Sequence, residues 1–141
     1  FRFARGELLW SDFDAFIEAL RERLDHVTRH QTYQTVESVL RVFRRRLSLR
    51  DAVIFADALP PVLRAIFVAR WNPDEPRRPF DTPARLNREV QEFRVDHDFS
   101  PDTAIEDVAT VLWSFVDAEA FARALGALPE EARSFWARRD T

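Results

Sequence analysis

A stretch in the middle of this chain returns near its end, and that recurrence constrains the fold more than any single motif. Ala58-Leu59-Pro60-Pro61-Val62-Leu63-Arg64-Ala65-Ile66-Phe67 is echoed by Ala127-Leu128-Pro129-Glu130-Glu131-Ala132-Arg133-Ser134-Phe135-Trp136, 69 residues further on. The same offset carries Val36, Glu37, Val39, Phe43 and Leu47 onto Ile105, Glu106, Val108, Leu112 and Val116. A duplication of this length implies that each half is one copy of the same supersecondary unit.

Each half reads as four helices. Ser11 precedes Asp12-Phe13-Asp14, and Phe13, Phe16, Ile17, Leu20 and Leu24 recur at helical spacing. Thr32 is expected to cap a second helix striped by Tyr33, Val36, Leu40, Phe43 and Leu47. Ser48-Leu49-Arg50-Asp51 has the form of a capping box for a short third helix, and Pro60 is placed at the first position of the fourth. In the second half Thr82-Pro83, Ser100-Pro101, Asp117 and Pro129 are the expected helix starts, with Gly126 as a left-handed stop. Three prolines within Asn72-Pro73-Asp74-Glu75-Pro76-Arg77-Arg78-Pro79 forbid a helix between the halves and favour an extended connector. The expected architecture is therefore all-α: a single domain over residues 1–141, a compact bundle of about eight helices from two tandem four-helix repeats. Repeat one spans about 11–71, the Pro-rich connector 72–81 and repeat two about 82–138. Units this small bury thin cores alone, so the two are expected to share one.

Composition removes whole reaction classes. All 21 basic residues are Arg, so no Schiff-base lysine and no Walker-type phosphate lysine exists. The absence of Cys removes disulfides, thiolate metal sites and Cys nucleophiles, and suits a reducing, cytoplasmic location. No apolar run approaches the ~20 residues of a membrane span, so no membrane insertion is expected. The opening Phe1-Arg2-Phe3-Ala4-Arg5 lacks the apolar region of a signal peptide. Charge divides unevenly: residues 1–71 hold 12 Arg against 9 acids, a net +3, and residues 72–141 hold 9 Arg against 15 acids, a net −6. Opposite halves suit head-to-tail association or a partner that reads one face.

The order of elements, carried by Val39-Leu40-Arg41-Val42-Phe43 with Ala58-Leu59-Pro60-Pro61-Val62-Leu63-Arg64 through Trp71, and by Val108 to Leu112 with Leu128-Pro129-Glu130-Glu131 through Trp136, resembles a bacterial family catalogued as domain of unknown function 2267. The likeness covers roughly residues 12–137. It implies a duplicated all-α domain and assigns no activity, so no functional residue is carried over. The loop after the first helix departs from the family pattern by holding two extra histidines.

Candidate sites can be weighed residue by residue. If the first helix ran on, Glu22, His26 and His30 would line one face as metal ligands. A loop with solvated histidines is expected instead, there and at Asp96-His97-Asp98, with no metal site. Arg41, Arg44 and Arg45, beside Arg46 and Arg50, are expected to share an exposed helix face for partner or phosphate contact. Glu37 can pair with Arg41 and weaken that stripe. Trp10, beside Leu8-Leu9 and outside the repeat, is a second candidate contact. Arg64 and Arg133 recur at equivalent places and are expected to form an inter-repeat structural pair, stems on the core and guanidinium groups on acids. Carboxylates in first turns complement helix dipoles, and no Gly-rich turn presents a nucleophile. The expected function is a non-enzymatic helical module for protein–protein interaction or self-association, its partner another protein or a second copy. No cofactor is expected, and the overall acidity opposes tight nucleic-acid binding. The alternatives are small-molecule binding in an aromatic core pocket, or weak nucleic-acid binding through the Arg face.

Overall fold

The computed structural model describes residues 2–93 and 100–138, with side chains from Asp12 onward. The described residues form eight helices and no strand: α1 (Arg2–Leu24), α2 (Arg29–Arg44), α3 (Leu49–Asp57), α4 (Pro61–Val68), α5 (Pro83–Glu92), α6 (Ala104–Trp113), α7 (Ala118–Gly126) and α8 (Glu130–Phe135). The bounds of α3 and α7 differ by 69 residues at both ends.

Local chemistry explains where the helices begin and stop, and it corrects several expected boundaries. Ser11 does not cap α1 but lies inside it. Residues 7–24 contain neither Pro nor Gly, and an interior Ser costs only a few tenths of a kcal/mol. α1 ends in a Schellman turn, with Asp25 in the left-handed region at φ 56°. The His26 amide donates to the Arg21 carbonyl at 3.0 Å and the Asp25 amide to the Glu22 carbonyl at 3.2 Å. Thr28, rather than Thr32, caps α2: its hydroxyl accepts from the Gln31 amide, and the Gln31 side chain accepts from the Thr28 amide. This is the Thr-x-x-Gln form of the capping box.

Ser48 caps α3 and Thr82 caps α5, each accepting from the amide three residues on, and Asp117 accepts from the Glu119 and Ala120 amides at the start of α7. Pro60 and Pro129 sit one residue earlier than expected, as caps themselves. Ser100-Pro101 does not open α6, which begins at Ala104 after a turn. Ser100 instead is buried, its hydroxyl 2.9 Å from that of Thr35 on α2. Gly126 is not left-handed: it is the last residue of α7, the chain continues right-handed through Ala127, and no described glycine has a positive φ.

One apolar cluster draws on all eight helices. α1 packs on α2 and α6, α2 on α4, α5 and α6, and α3 on α4 and α7, so helices of the two halves interleave. Its centre is aromatic. The Phe43 ring lies 4.7 Å from those of Phe55 and Phe135, and Phe55 lies 5.1 Å from Phe67, 5.8 Å from Phe121 and 5.5 Å from Trp136. These edge-on, tilted and stacked pairs are favourable aromatic geometries. The rings fill the centre against one another, so the space assigned above to an aromatic core pocket is occupied by side chains. Two clefts of 30 and 150 Å³ reach the cluster from outside, below the roughly 300 Å³ of ordinary ligand sites.

The connector holds no helix, as its prolines require, but it opens with a turn closed by the Glu75 amide on the Asn72 carbonyl at 3.1 Å, and it is strapped down. The Arg78 amide donates to the Arg45 carbonyl at 3.0 Å, and Arg46 Nε donates to the Pro79 carbonyl at 3.1 Å. Among the described residues no helix is long and apolar enough to cross a membrane.

Candidate functional site

Three consecutive arginines stand at the end of α2, Arg44 as its last residue, Arg45 as its C-cap and Arg46 just beyond, and successive side chains there point in different directions. The structure uses each differently, and the expected exposed face is corrected accordingly. Arg44 is buried: Nη1 donates to the Phe67 carbonyl at 2.9 Å and the Ala69 carbonyl at 3.0 Å, and the guanidinium lies 5.3 Å from the Trp71 ring centre. It thereby satisfies the C-terminal carbonyls of α4, where the helix dipole favours a cation. Burial, and then the neighbouring Arg41 and Arg45 charges, push its pKa down, partly opposed by Glu75. Arg45 lies over the Phe93 ring at 4.4 Å, with Nε 3.2 Å from Glu75 and Nη1 3.3 Å from Glu89. Arg46 turns inward: Nη2 meets Glu89 at 2.6 Å, while Nη1 reaches Glu89 at 3.0 Å and the Val42 carbonyl at 2.7 Å.

Arg41 is half-buried, 3.8 Å from Glu37 as its spacing allows, and the Glu37 carboxylate also meets Arg70 at 3.1 Å. A stripe that tracks a phosphate backbone needs guanidinium groups open along one face, and here Arg41 is half-buried beside Glu37, Arg44 is buried and Arg45 lies over Phe93. Part of the charge contrast between the halves is met within the chain. Arg23 pairs with Asp107 at 2.8 Å, and Arg45 and Arg46 of the basic half converge on Glu89 of the acidic half. Glu89 feels burial pushing its carboxyl up, but Arg46, Arg45 and Arg78 outweigh that and hold it below the ordinary carboxylate range.

Arg64 and Arg133 form no inter-repeat pair. Arg64 Nε donates to the Ala56 carbonyl at 2.9 Å and Nη2 to the Leu59 carbonyl at 3.2 Å, while Arg133 Nη1 donates to the Leu128 carbonyl at 2.6 Å. Arg64 binds the last turn of α3 and the loop after it, and Arg133 binds the loop just after α7, so the acceptors are backbone carbonyls and not acids. Arg64→Gln is expected to lower stability by about 1 kcal/mol, and Arg133→Gln by no more than that. Urea melts of the two variants check this; unchanged midpoints would show that water serves these carbonyls equally well.

The histidines separate. The Schellman turn stops α1 before His26, so Glu22, His26 and His30 do not share a helix face. His26 is not solvated: it is buried, with Nδ1 3.0 Å from the Thr32 hydroxyl. His30 stands exposed in the first turn of α2, hydrogen-bonded to Gln34. Among the described residues no group of three or more His, Cys, Asp or Glu is arranged to hold a metal. The Trp10 side chain and the Asp96-His97-Asp98 segment lie outside the described residues.

Two open clefts flank the strapped connector. One, of 240 Å³, is bounded by Arg44, Arg45, Ser48, Leu49, Trp71 and Arg77 among others. The other, of 410 Å³, lies beyond Arg77 against Arg46, Arg78, Pro79 and Glu131. Glu75, Arg77 and Glu89, which complete this arrangement, were not singled out by sequence. They lie 30 to 44 residues from the α2 arginines they approach, and an isolated Glu or Arg carries no spacing signal.

A family model described as an uncharacterized conserved protein, DUF2267, matches residues 13–135, from α1 through the end of α8. The chain belongs to the DUF2267 family. No curated protein matches it. The matched span of this DUF2267 member includes both clefts and every arginine of the α2 cluster.

Proposed function

We propose that this DUF2267 member is a non-enzymatic helical module that docks onto another protein through the outer face of α3. The observation that carries this reading is the exposure of Leu49 and Val53, at 68% and 52%, four residues apart and therefore on one face of α3. Leu49 also forms one wall of the 240 Å³ cleft, so apolar surface and guanidinium groups adjoin. An apolar centre with a charged rim is the usual make-up of a contact surface. The internal pairing of opposite charges argues for a second protein over head-to-tail stacking of copies. The tandem duplication would then serve as scaffold, and the lack of Cys fits a cytoplasmic setting.

Affinity capture from the native host with the wild-type chain and with Leu49→Asp/Val53→Asp tests this. The wild type is expected to retain a stoichiometric partner that the double variant loses, with both chains equally stable because the two sites face solvent. Recovery of the same proteins by both would sink the reading.

A further inference from the structure

Arg44 presents an electrostatic imbalance. It is only 7% exposed, its charge is desolvated, and among the described residues no carboxylate pairs with it; its hydrogen bonds go to two carbonyls through Nη1 alone. Buried guanidinium groups are ordinarily paired, because an uncompensated charge in a low-dielectric site is costly. Arg44 borders the 240 Å³ cleft together with Arg45 and Arg77. Arg77 is exposed and has no ion pair among the described residues. The carboxylate in the lining is Glu75, held at 3.2 Å by Arg45. Three guanidinium groups against one carboxylate leave the lining at net +2, which Glu89, 3.3 Å from Arg45 and outside the lining, offsets in part.

Other features of the cleft fit the same occupant. Ser48 caps α3 by accepting from the Asp51 amide, and its hydroxyl keeps a proton to donate. The nine-residue α3 begins there, adding free amide groups and the positive end of its dipole. Leu47, Leu49 and Trp71 form apolar walls, which strengthen charge interactions inside. At 240 Å³ the cleft is below the roughly 300–1,000 Å³ of drug-sized sites, room for a phosphate with a short arm and not for a whole nucleotide.

We propose that the cleft between the end of α2, the start of α3 and the connector binds a phosphate monoester through Arg44, Arg45, Arg77 and Ser48. A phosphate monoester carries about −1.5 to −2 at neutral pH, matching the lining, whereas a carboxylate supplies −1. Arg and a phosphate form parallel N–H···O bonds, and Arg44 has Nε and Nη2 left to give. Glu75 holds Arg45 in the absence of ligand and competes with it. The phosphate can be free or carried on a side chain of a peptide. This inference stands apart from the docking reading, since it is tested on the isolated chain with small probes.

Inorganic phosphate and O-phosphoserine are titrated at low salt while the Trp71 indole N–H resonance is followed by NMR. A saturable shift in the millimolar range is expected with both. Arg77→Gln, an exposed change that leaves the fold intact, should weaken binding about 3- to 10-fold, and Glu75→Gln should tighten it by a similar factor. Glu119→Gln on α7, well removed in sequence, should change nothing. Lowering the pH from 7.5 to 5.5 should weaken binding as the dianion is lost. A phosphoserine peptide that binds at least about tenfold more tightly than O-phosphoserine assigns the phosphate to a protein chain; equal affinity assigns it to a free ester. The proposal is overturned if the resonance does not move, if acetate binds as well as phosphate, or if the Arg77 and Glu75 variants bind like wild type.

Discussion

Phe55→Ala is expected to cost about 3–5 kcal/mol of folding free energy, a large share of the ~5–15 kcal/mol that a domain possesses. Phe55 is fully buried on α3, and its ring touches Phe43 from α2, Phe67 from α4, Phe121 from α7 and Trp136 after α8. Those partners come from both halves of the chain and sit at ring separations of 4.7–5.8 Å, so they cannot close over the space that a phenyl ring leaves. Equilibrium urea unfolding, followed by tryptophan fluorescence, measures the loss. Val53→Ala on the same helix is the control; with Val53 52% exposed, it should stay within about 0.5 kcal/mol of wild type. A Phe55→Ala loss below about 1.5 kcal/mol would mean that the aromatic centre is loosely packed.

The second large effect falls on the charged seam. Glu89→Gln should cost about 2–3 kcal/mol, because Arg46 would remain buried, at 4% side-chain exposure, without its carboxylate. The glutamine carbonyl keeps one acceptor for Arg46, which holds the loss below that of a fully orphaned ion.

The effect also has a pH signature with a definite sign. The folded-state pKa of Glu89 lies below its unfolded value: burial raises it, but the hydrogen bond and charge of Arg46, with help from Arg45 and Arg78, lower it further. A depressed carboxylate binds more protons when unfolded, so its stabilisation is complete above the ordinary Glu value of about 4.3. It is lost as pH falls through the lower, folded value. Wild type and Glu89→Gln should therefore differ most near neutrality and converge under acid. Parallel stability curves down to low pH would show that Glu89 takes up its proton alike in the folded and unfolded chain, so that the seam does not depress it.

How much of this was readable beforehand differs by level. The helices followed from apolar spacing and from caps whose side chains act within three residues, as at Ser48, Thr82 and Asp117. Boundaries failed where two local solutions compete. Thr28 and Thr32 both have the right chemistry for a cap, and only Gln31, three residues after Thr28, breaks the tie. The end of α1 was obscured because its left-handed residue is Asp25 and not a glycine, while Gly126 stands where the chain stays right-handed. The cleft was less legible still. Arg44, Arg45 and Arg46 look alike as a run of letters, yet one binds the end of α4, one lies on Phe93 and one grips Glu89. Those assignments depend on which segments return to the helix from 23 to 48 residues away, information that no local window contains.

Arg64 and Arg133 show the same limit from the other side. Their recurrence was visible, and so was a structural use for it. Their acceptors were not, because a backbone carbonyl leaves no mark on a sequence.

The strapped connector and the interleaved core together have a consequence for how the chain holds itself together. Helices of the first half complete their burial only on helices of the second, so the molecule is in physical terms a dimer whose partners share a leash. The leash supplies a high effective concentration. Severing it among Asn72–Pro76, before the Arg78 and Pro79 ties, would leave the same surfaces in contact but turn a property of one molecule into one that depends on how many are present.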